Sequence, residues 1–269
     1  GHPNTLGTGS PAASSVPVAV PGLTGIIDVS VGRNFACAAR SVGTVACWGL
    51  NSRGQLGNGT NTASLTPVDA LGITNATQVD AGGQHACARL ANGAAQCWGA
   101  NTSAQLANGT FVDANSPTAM FGLTGVTAVS AGELTTCVRK SDGSALCSGD
   151  NQAGQLSGGS QPLAVNVPFQ GGITTISSIS AGTAHTCATL TDGTAICRGN
   201  PTEGRLGNGV SNYPDLGVPV ALTGIASVGA GSLTSCALTT TGRVWCWGYG
   251  PMGNGTGSSP LPSLIDGVA

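Results

Sequence analysis

Ten cysteines fall into five pairs, and the members of each pair stand ten residues apart: Cys37/Cys47, Cys87/Cys97, Cys137/Cys147, Cys187/Cys197 and Cys236/Cys246. Successive pairs begin 50, 50, 50 and 49 residues apart. A glycine precedes each second cysteine by four places, at Gly43, Gly93, Gly143, Gly193 and Gly242. Self-similarity at such a period means an array of one supersecondary unit.

The spacing has a geometric reading. In the second repeat, Ala91-Asn92-Gly93 separates Leu90 from Ala94. A three-residue hairpin loop places one residue in the left-handed region, which glycine occupies without a Cβ penalty. Counting outward from a Leu90/Ala94 closing pair, Cys87 faces Cys97. If the closing pair is hydrogen-bonded, alternation makes 87/97 a non-hydrogen-bonded pair with Cα atoms about 4.5 Å apart. That is the close end of what a disulfide bridges. Five cross-strand disulfides are therefore expected. The rival reading is a metal site, but single cysteines ten apart without a nearby histidine make a poor zinc pattern. No metal and no cofactor are expected.

Ten cysteines in register argue for an oxidising compartment: secreted, periplasmic or cell-surface. The 269 residues carry a net charge of −2, and only 7% are charged. No basic stripe for nucleic acid is present, and no apolar run approaches a membrane span. Gly1-His2-Pro3 reads as a processing scar.

Around the cysteines the repeat has further parts. A β-rich run ends in glycine at Ile26-Ile27-Asp28-Val29-Ser30-Val31-Gly32 and returns before each pair, as in Gln78-Val79-Asp80-Ala81-Gly82. Small residues at its end suit a strand crowded against others. A link, the cysteine hairpin, a Gly/Asn loop and a Pro-Val run follow. Each unit thus supplies four short strands, and no helical periodicity occurs. Residues 1–25 read as the back half of a repeat, with Val16-Pro17-Val18-Ala19-Val20 echoing the Pro-Val run, and residues 249–269 as a terminal half-repeat. Four strands per repeat of this length is the β-propeller pattern.

The run Cys47-Trp48-Gly49-Leu50-Asn51-Ser52-Arg53-Gly54-Gln55-Leu56-Gly57-Asn58-Gly59-Thr60 resembles the signature of the regulator of chromosome condensation (RCC1) repeat, as does Ala81-Gly82-Gly83-Gln84-His85-Ala86-Cys87-Ala88-Arg89-Leu90. The resemblance covers nearly the whole chain, and the cysteines look like those of exported bacterial relatives. It implies an all-β propeller of about five four-stranded blades, six if the terminal half-repeats make one, with one disulfide per blade, as a single domain over 1–269. Trp48, Trp98 and Trp247 become Ser148 and Arg198 in the third and fourth repeats, and the glutamine of Gln55, Gln105 and Gln155 becomes Arg205.

No nucleophile–base set stands in a motif context, and no phosphate loop is present; the chain is expected not to be an enzyme and not to bind nucleotide. His85 and His185 share one repeat position and read as structural, and His2 as a tail residue. Asp142 and Asp192 sit mid-turn, while Asp28 and Asp80 in corresponding strands are expected to tie loops together. The sequons at Asn58, Asn75, Asn101, Asn108 and Asn254 read mainly as turn chemistry.

What varies between repeats is the link after the first run. Variable loops on a rigid scaffold are where binding usually sits, so Arg33, Asn34, Phe35, Gln84, Glu133, Leu134, Thr183, Ser232 and Leu233 form the expected binding face. The expected function is a non-enzymatic secreted or cell-surface module for protein interaction or structure. The alternatives are a self-assembling subunit of an extracellular filament that donates a terminal strand and a secreted enzyme inhibitor. Inhibitors of that family use aromatic residues in these links, and Phe35 is the single aromatic here. The expected partner is a protein or a second copy.

Overall fold

The computed structural model describes residues 5–157, 163–210, 217–253, 255 and 257–265. His2 and the sequon at Asn254 lie outside them. The strands form five four-stranded antiparallel sheets, one per repeat. The first holds β1 (Ile26–Val31), β2 (Phe35–Arg40), β3 (Val45–Gly49) and β4 (Ser64–Asp69). The second holds β5 (Ala76–Ala81), β6 (His85–Leu90), β7 (Ala95–Gly99) and β8 (Ala114–Ala119). The third holds β9 (Val126–Ala131), β10 (Thr135–Lys140), β11 (Ala145–Asp150) and β12 (Leu163–Pro168). The fourth holds β13 (Ile176–Ala181), β14 (His185–Leu190), β15 (Ala195–Gly199) and β16 (Val218–Pro219). The fifth holds β17 (Ile225–Ala230), β18 (Thr234–Thr239), β19 (Val244–Gly248) and β20 (Ser259–Leu264). Two compact units divide the chain, Gly1–Thr136 and Cys137–Ala269.

The cysteine hairpin has the register its spacing dictates. Leu90 N–H donates to Ala94 O (2.9 Å) and Gly93 N–H to Leu90 O (3.0 Å). Gly93 takes φ +78°, and Cys87 faces Cys97. All five expected disulfides are present: Cys37–Cys47, Cys87–Cys97, Cys137–Cys147, Cys187–Cys197 and Cys236–Cys246. One detail of the expectation needs correcting. The Cα atoms stand 4.0–4.1 Å apart, 4.1 Å for Cys137–Cys147, and so approach more closely than the spacing of an unbridged pair suggests. The ladder beyond the staple is also not regular. Cys147 pairs with Val167 of β12, and the register then shifts before Gly149 pairs with Ala164. The same shift follows Cys47, Cys97 and Cys246. The turns are closed by their own side chains: Asn92 Oδ1 accepts from Ala94 N–H, and Asp142 and Asp192 accept from Ser144 and Thr194.

Prolines explain which strand is outermost. Pro67, Pro117, Pro168, Pro219, Pro260 and Pro262 all lie in the fourth strand of their sheets. A residue without an N–H is tolerated at a sheet edge and not in its middle. The tail strand is β20, the edge of the fifth sheet. Among the described residues no sixth sheet forms, and residues 16–20 belong to no strand.

The glycines that end the first runs at Gly32, Gly82 and Gly182 are required by close approach, not by φ. In the first unit a Cβ on Gly82 would lie 2.1 Å from Gly132 O, and one on Gly32 2.5 Å from Gly82 O. In the second unit Gly182 meets Gly231 O at 2.4 Å in the same way. First strands are further tied by side chains reaching the next repeat. Asp28 Oδ2 accepts Val79 N–H, and Asp80 Oδ2 accepts Ala131 N–H. The two aspartates thus tie strands rather than the loops that their sequence positions suggest.

Each unit packs its own core. In the first, Phe35, Cys37, Cys47, Leu56, Val79 and Trp98 form one buried cluster. In the second, Cys137, Cys147, Leu156, Phe169 and Ile176 form one cluster, and Cys187, Cys197, Leu206, Val228 and Trp247 another. Tryptophans pin neighbouring repeats together: Trp98 Nε1 donates to Gln55 O (2.8 Å) and Trp247 Nε1 to Arg205 O (2.9 Å). Arg198, in the tryptophan position, donates its Nε to Gly154 O at 2.7 Å. Asn51 and Asn101, both fully buried, fasten the long loops; Asn101 binds Asn108, Thr110 and Leu106. The buried amide of Asn101 is therefore not an accessible glycan acceptor.

Candidate interaction face

The variable links contract to two-residue loops. Val31 pairs with Ala36, and Gly32 N–H donates to Phe35 O. This leaves Arg33 and Asn34 as the loop. The equivalent loops are 83–84, 133–134, 183–184 and 232–233. Their carbonyls are held from below: Asn34 O accepts Leu50 N–H, Gln84 O accepts Ala100 N–H, and Leu233 O accepts Tyr249 N–H. Side chains of differing chemistry therefore stand on a fixed backbone.

In the first unit the loops of repeats one and three meet. Arg33 Nη1 lies 3.1 Å from Glu133 Oε1, with side chains 66% and 29% exposed. Gly83 makes room for this pair, because a Cβ there would fall 2.6 Å from Glu133 Cδ. Leu134 is exposed beside it, and Asn34 and Gln84 are half-buried. Ion pairs this exposed contribute little to stability, so both charges stay open to a partner. In the second unit Thr183, Ser232 and Leu233 are exposed. Thr183 N–H donates to Gly231 O, and Arg205 donates to Ser232 O and Thr202 O.

Phe35 requires a correction. It is 0% exposed and packs in the core of the first unit. The reason is parity: the loop ends at Asn34, so residue 35 already lies in β2, on the inward side with Cys37 and Ala39. The face therefore lacks the aromatic that the inhibitor reading needs.

The histidines occupy that same inward position. His85 Nε2 lies 2.8 Å from Thr136 Oγ1, and His185 Nε2 2.7 Å from Ser235 Oγ; both rings are fully buried. Ser235 Oγ donates onward to Arg205 O (3.0 Å). The hydroxyl proton is thus committed, and His185 must donate from Nε2 as a neutral ring. Burial pushes His85 down to about 4, and burial together with the charge of Arg205 pushes His185 down to about 3. The pairs resemble a base–nucleophile couple, but each is sealed in a core and no carboxylate orients Nδ1. Burial raises the carboxyl of Asp80, which nonetheless accepts from Ser30, Ala131 and its neighbour Ala81. The ten cysteines, Cys137 and Cys147 among them, are all consumed in disulfides and leave no thiol for a metal or a nucleophile. Among the described residues no three His, Cys, Asp or Glu side chains gather to hold a metal ion, and no helix is long and apolar enough to cross a membrane.

The regulator of chromosome condensation (RCC1) repeat profile matches residues 26–55, 76–105, 126–155, 176–205 and 225–254, more than half of the chain. A second profile of that description matches 43–89. No curated protein sequence matches. Among solved structures, yeast RCC1 (Prp20) bound to Kap60 superposes with TM-score 0.78 at 22% identity, over 90% of this chain and 61% of that one. Prp20p from Saccharomyces cerevisiae, studied for its binding to Gsp1p and histones, gives 0.76 at 22%, over 90% and 63%. Human WBSCR16 gives 0.76 at 19%, over 90% and 66%. The chain thus spans 61–66% of the length of these three structures. Five disulfide-stapled, four-stranded repeats with this signature and this fold place the chain in the regulator of chromosome condensation (RCC1) repeat family of β-propellers.

Proposed function

We propose that the chain is a non-enzymatic protein-binding module of an oxidising compartment, secreted, periplasmic or at a cell surface. In this reading the loop face engages the partner. The observation that carries it is the cluster of Arg33, Gln84, Glu133 and Leu134, exposed or half-buried on loops whose backbones are fixed by hydrogen bonds. A pre-set backbone lowers the entropy cost of binding, and arginine is favoured at interface hot spots. Yeast RCC1 bound to Kap60 offers a protein-binding precedent on this fold. Ten paired cysteines support the compartment, and a net charge of −2 offers nothing to a phosphate backbone. The test places a photo-crosslinking residue at Leu134, and at Val42, an exposed residue of the β2–β3 turn, in the native host. Protein adducts should form from 134 and not from 42. Equal labelling, or none from 134, defeats the assignment.

A further inference from the structure

The β18–β19 turn departs from its four counterparts in three side chains. Thr239 N–H donates to Arg243 O (2.8 Å), as Leu90 N–H does to Ala94 O and Leu190 N–H to Thr194 O. The residue at this closing position is Thr44, Ala94, Ser144 or Thr194 in the other repeats, and arginine only at 243. Two residues on, Trp245 faces Ala237. In the other registers Ala46 faces Ala38, Gln96 faces Ala88 and Ile196 faces Ala188. At mid-turn, the aspartate of Asp142 and Asp192 is replaced by Thr241. The fifth turn thus gains a cation and an indole and lacks the carboxylate of the two turns before it.

These side chains line a cavity. About 550 Å³ lies between the turn and the segment that enters β17, bounded by Leu222, Thr223, Thr240, Thr241, Arg243 and Trp245. All belong to the second unit. Small-molecule sites span ~300–1,000 Å³. The walls are fixed by hydrogen bonds. Thr240 N–H donates to Gly224 O (2.8 Å), Arg243 N–H donates to Thr239 Oγ1 (3.1 Å), and Thr239 Oγ1 donates to Arg243 O (3.1 Å). The mouth is open: Thr223, Thr240, Thr241 and Arg243 are exposed, and Leu222 and Trp245 are half-buried.

The polar groups of this cavity are left available by the fold. Trp48, Trp98 and Trp247 each give their indole N–H to a backbone carbonyl. Among the described residues, the Trp245 indole has no such acceptor. Arg33, Arg40, Arg53 and Lys140 pair with carboxylates, and Arg139, Arg198 and Arg205 donate to carbonyls. The Arg243 guanidinium has neither kind of partner among the described residues, and no residue lining the cavity is acidic. The hydroxyls of Thr223 and Thr240 likewise bond to no described residue.

That set of groups selects a ligand. An unneutralised guanidinium calls for an anion, and its fork fits a carboxylate. A half-buried indole calls for a flat apolar surface. Hydroxyls on the opposite wall call for groups that both donate and accept. A sugar ring that carries a carboxylate has all three: the anion, a face of C–H bonds and a rim of hydroxyls.

We propose that this cavity binds an acidic pyranose, a hexuronate. Arg243 takes the carboxylate, the Trp245 indole lies along the C–H face of the ring, and Thr223 and Thr240 exchange hydrogen bonds with its hydroxyls. The site sits at the β18–β19 turn, whereas loop 232–233 joins β17 to β18 at the other end of the strand. It is therefore separate from the loop face assigned to protein binding, and either assignment can fail without the other.

The test is calorimetric titration of the unreduced chain with sodium glucuronate, methyl glucoside and sodium benzoate. Glucuronate should saturate one site with Kd on the order of 1 mM. Methyl glucoside lacks the charge and benzoate lacks the hydroxyls, and each should bind at least ~tenfold more weakly. Glucuronate should also shift tryptophan emission. The other three indoles are 0–6% exposed, so the shift reports Trp245. Arg243→Thr and Trp245→Ile install the residues that the fourth repeat carries at 194 and 196. An unchanged circular dichroism spectrum with five disulfides certifies their folding. Arg243→Thr should reduce glucuronate binding to the level of methyl glucoside, and Trp245→Ile should weaken both sugars. Arg53→Thr removes an exposed cation of the first unit and should change nothing. A titration without saturation overturns the proposal, as does binding that leaves tryptophan emission unchanged. So does benzoate or methyl glucoside matching glucuronate, or a loss with Arg53→Thr equal to that with Arg243→Thr.

Discussion

Acid should loosen this fold through its two buried histidines. An unfolded imidazole titrates near 6.5, while His85 and His185 are held down to about 4 and about 3. Between those values the unfolded chain binds more protons than the folded one. The histidine contribution is therefore whole above pH 6.5 and is lost as pH falls through the window. At 1.36 kcal/mol per pKa unit, each ring loses about 3 kcal/mol by pH 4. Asp80 works in the opposite sense, since burial raises its carboxyl and protonation relieves the fold. The assay is urea unfolding of the unreduced protein at pH 7 and pH 4, for the wild type and for His85→Gln/His185→Gln. Glutamine is neutral throughout and keeps an N–H for Thr136 and Ser235. The wild type should lose several kcal/mol between the two pH values, and the double variant far less. Equal losses would refute the assignment of the buried rings as the acid-sensitive groups.

Two other outcomes follow from burial. Cys236 is half-buried and Cys246 slightly exposed, whereas the other eight cysteines are 0–1% exposed, Cys147 being the one at 1%. Mild reductant with alkylation should therefore open 236–246 first, because thiolate attack requires access; earlier labelling of any other pair contradicts the packing. Arg198→Leu removes the donor to Gly154 O and should cost about 1–3 kcal/mol in urea unfolding. Arg198→Trp restores the indole of Trp98 and Trp247 and should cost less; a larger loss would show that the arginine does more than replace it.

The hairpins were legible because a cross-strand pair must sit symmetrically about its turn, and the position of Gly93 fixes that symmetry without coordinates. The outer strands were legible through their prolines, and the crowding of first strands through their small residues. The register shift after Cys147 and its equivalents was not, because nothing in the run Cys147-Ser148-Gly149 marks where the ladder to β12 breaks. Phe35 reads as a link residue only if the link is longer than two residues. The contrary signal is present in the sequence, since residue 35 shares its parity with Cys37 as His85 does with Cys87. The Arg33–Glu133 pair was not legible. It joins positions 100 residues apart, and only the gap left by Gly83 lets it form.

The central claim is that each repeat is stapled across its own hairpin, and that this lets a chain with few charges and few aromatics hold its loops in an oxidising environment. Peptide mass spectrometry of the unreduced protein from its native host tests it most directly. The account predicts five linkages, Cys37–Cys47, Cys87–Cys97, Cys137–Cys147, Cys187–Cys197 and Cys236–Cys246, with no free thiol. Free cysteines, or a linkage between repeats, would contradict it.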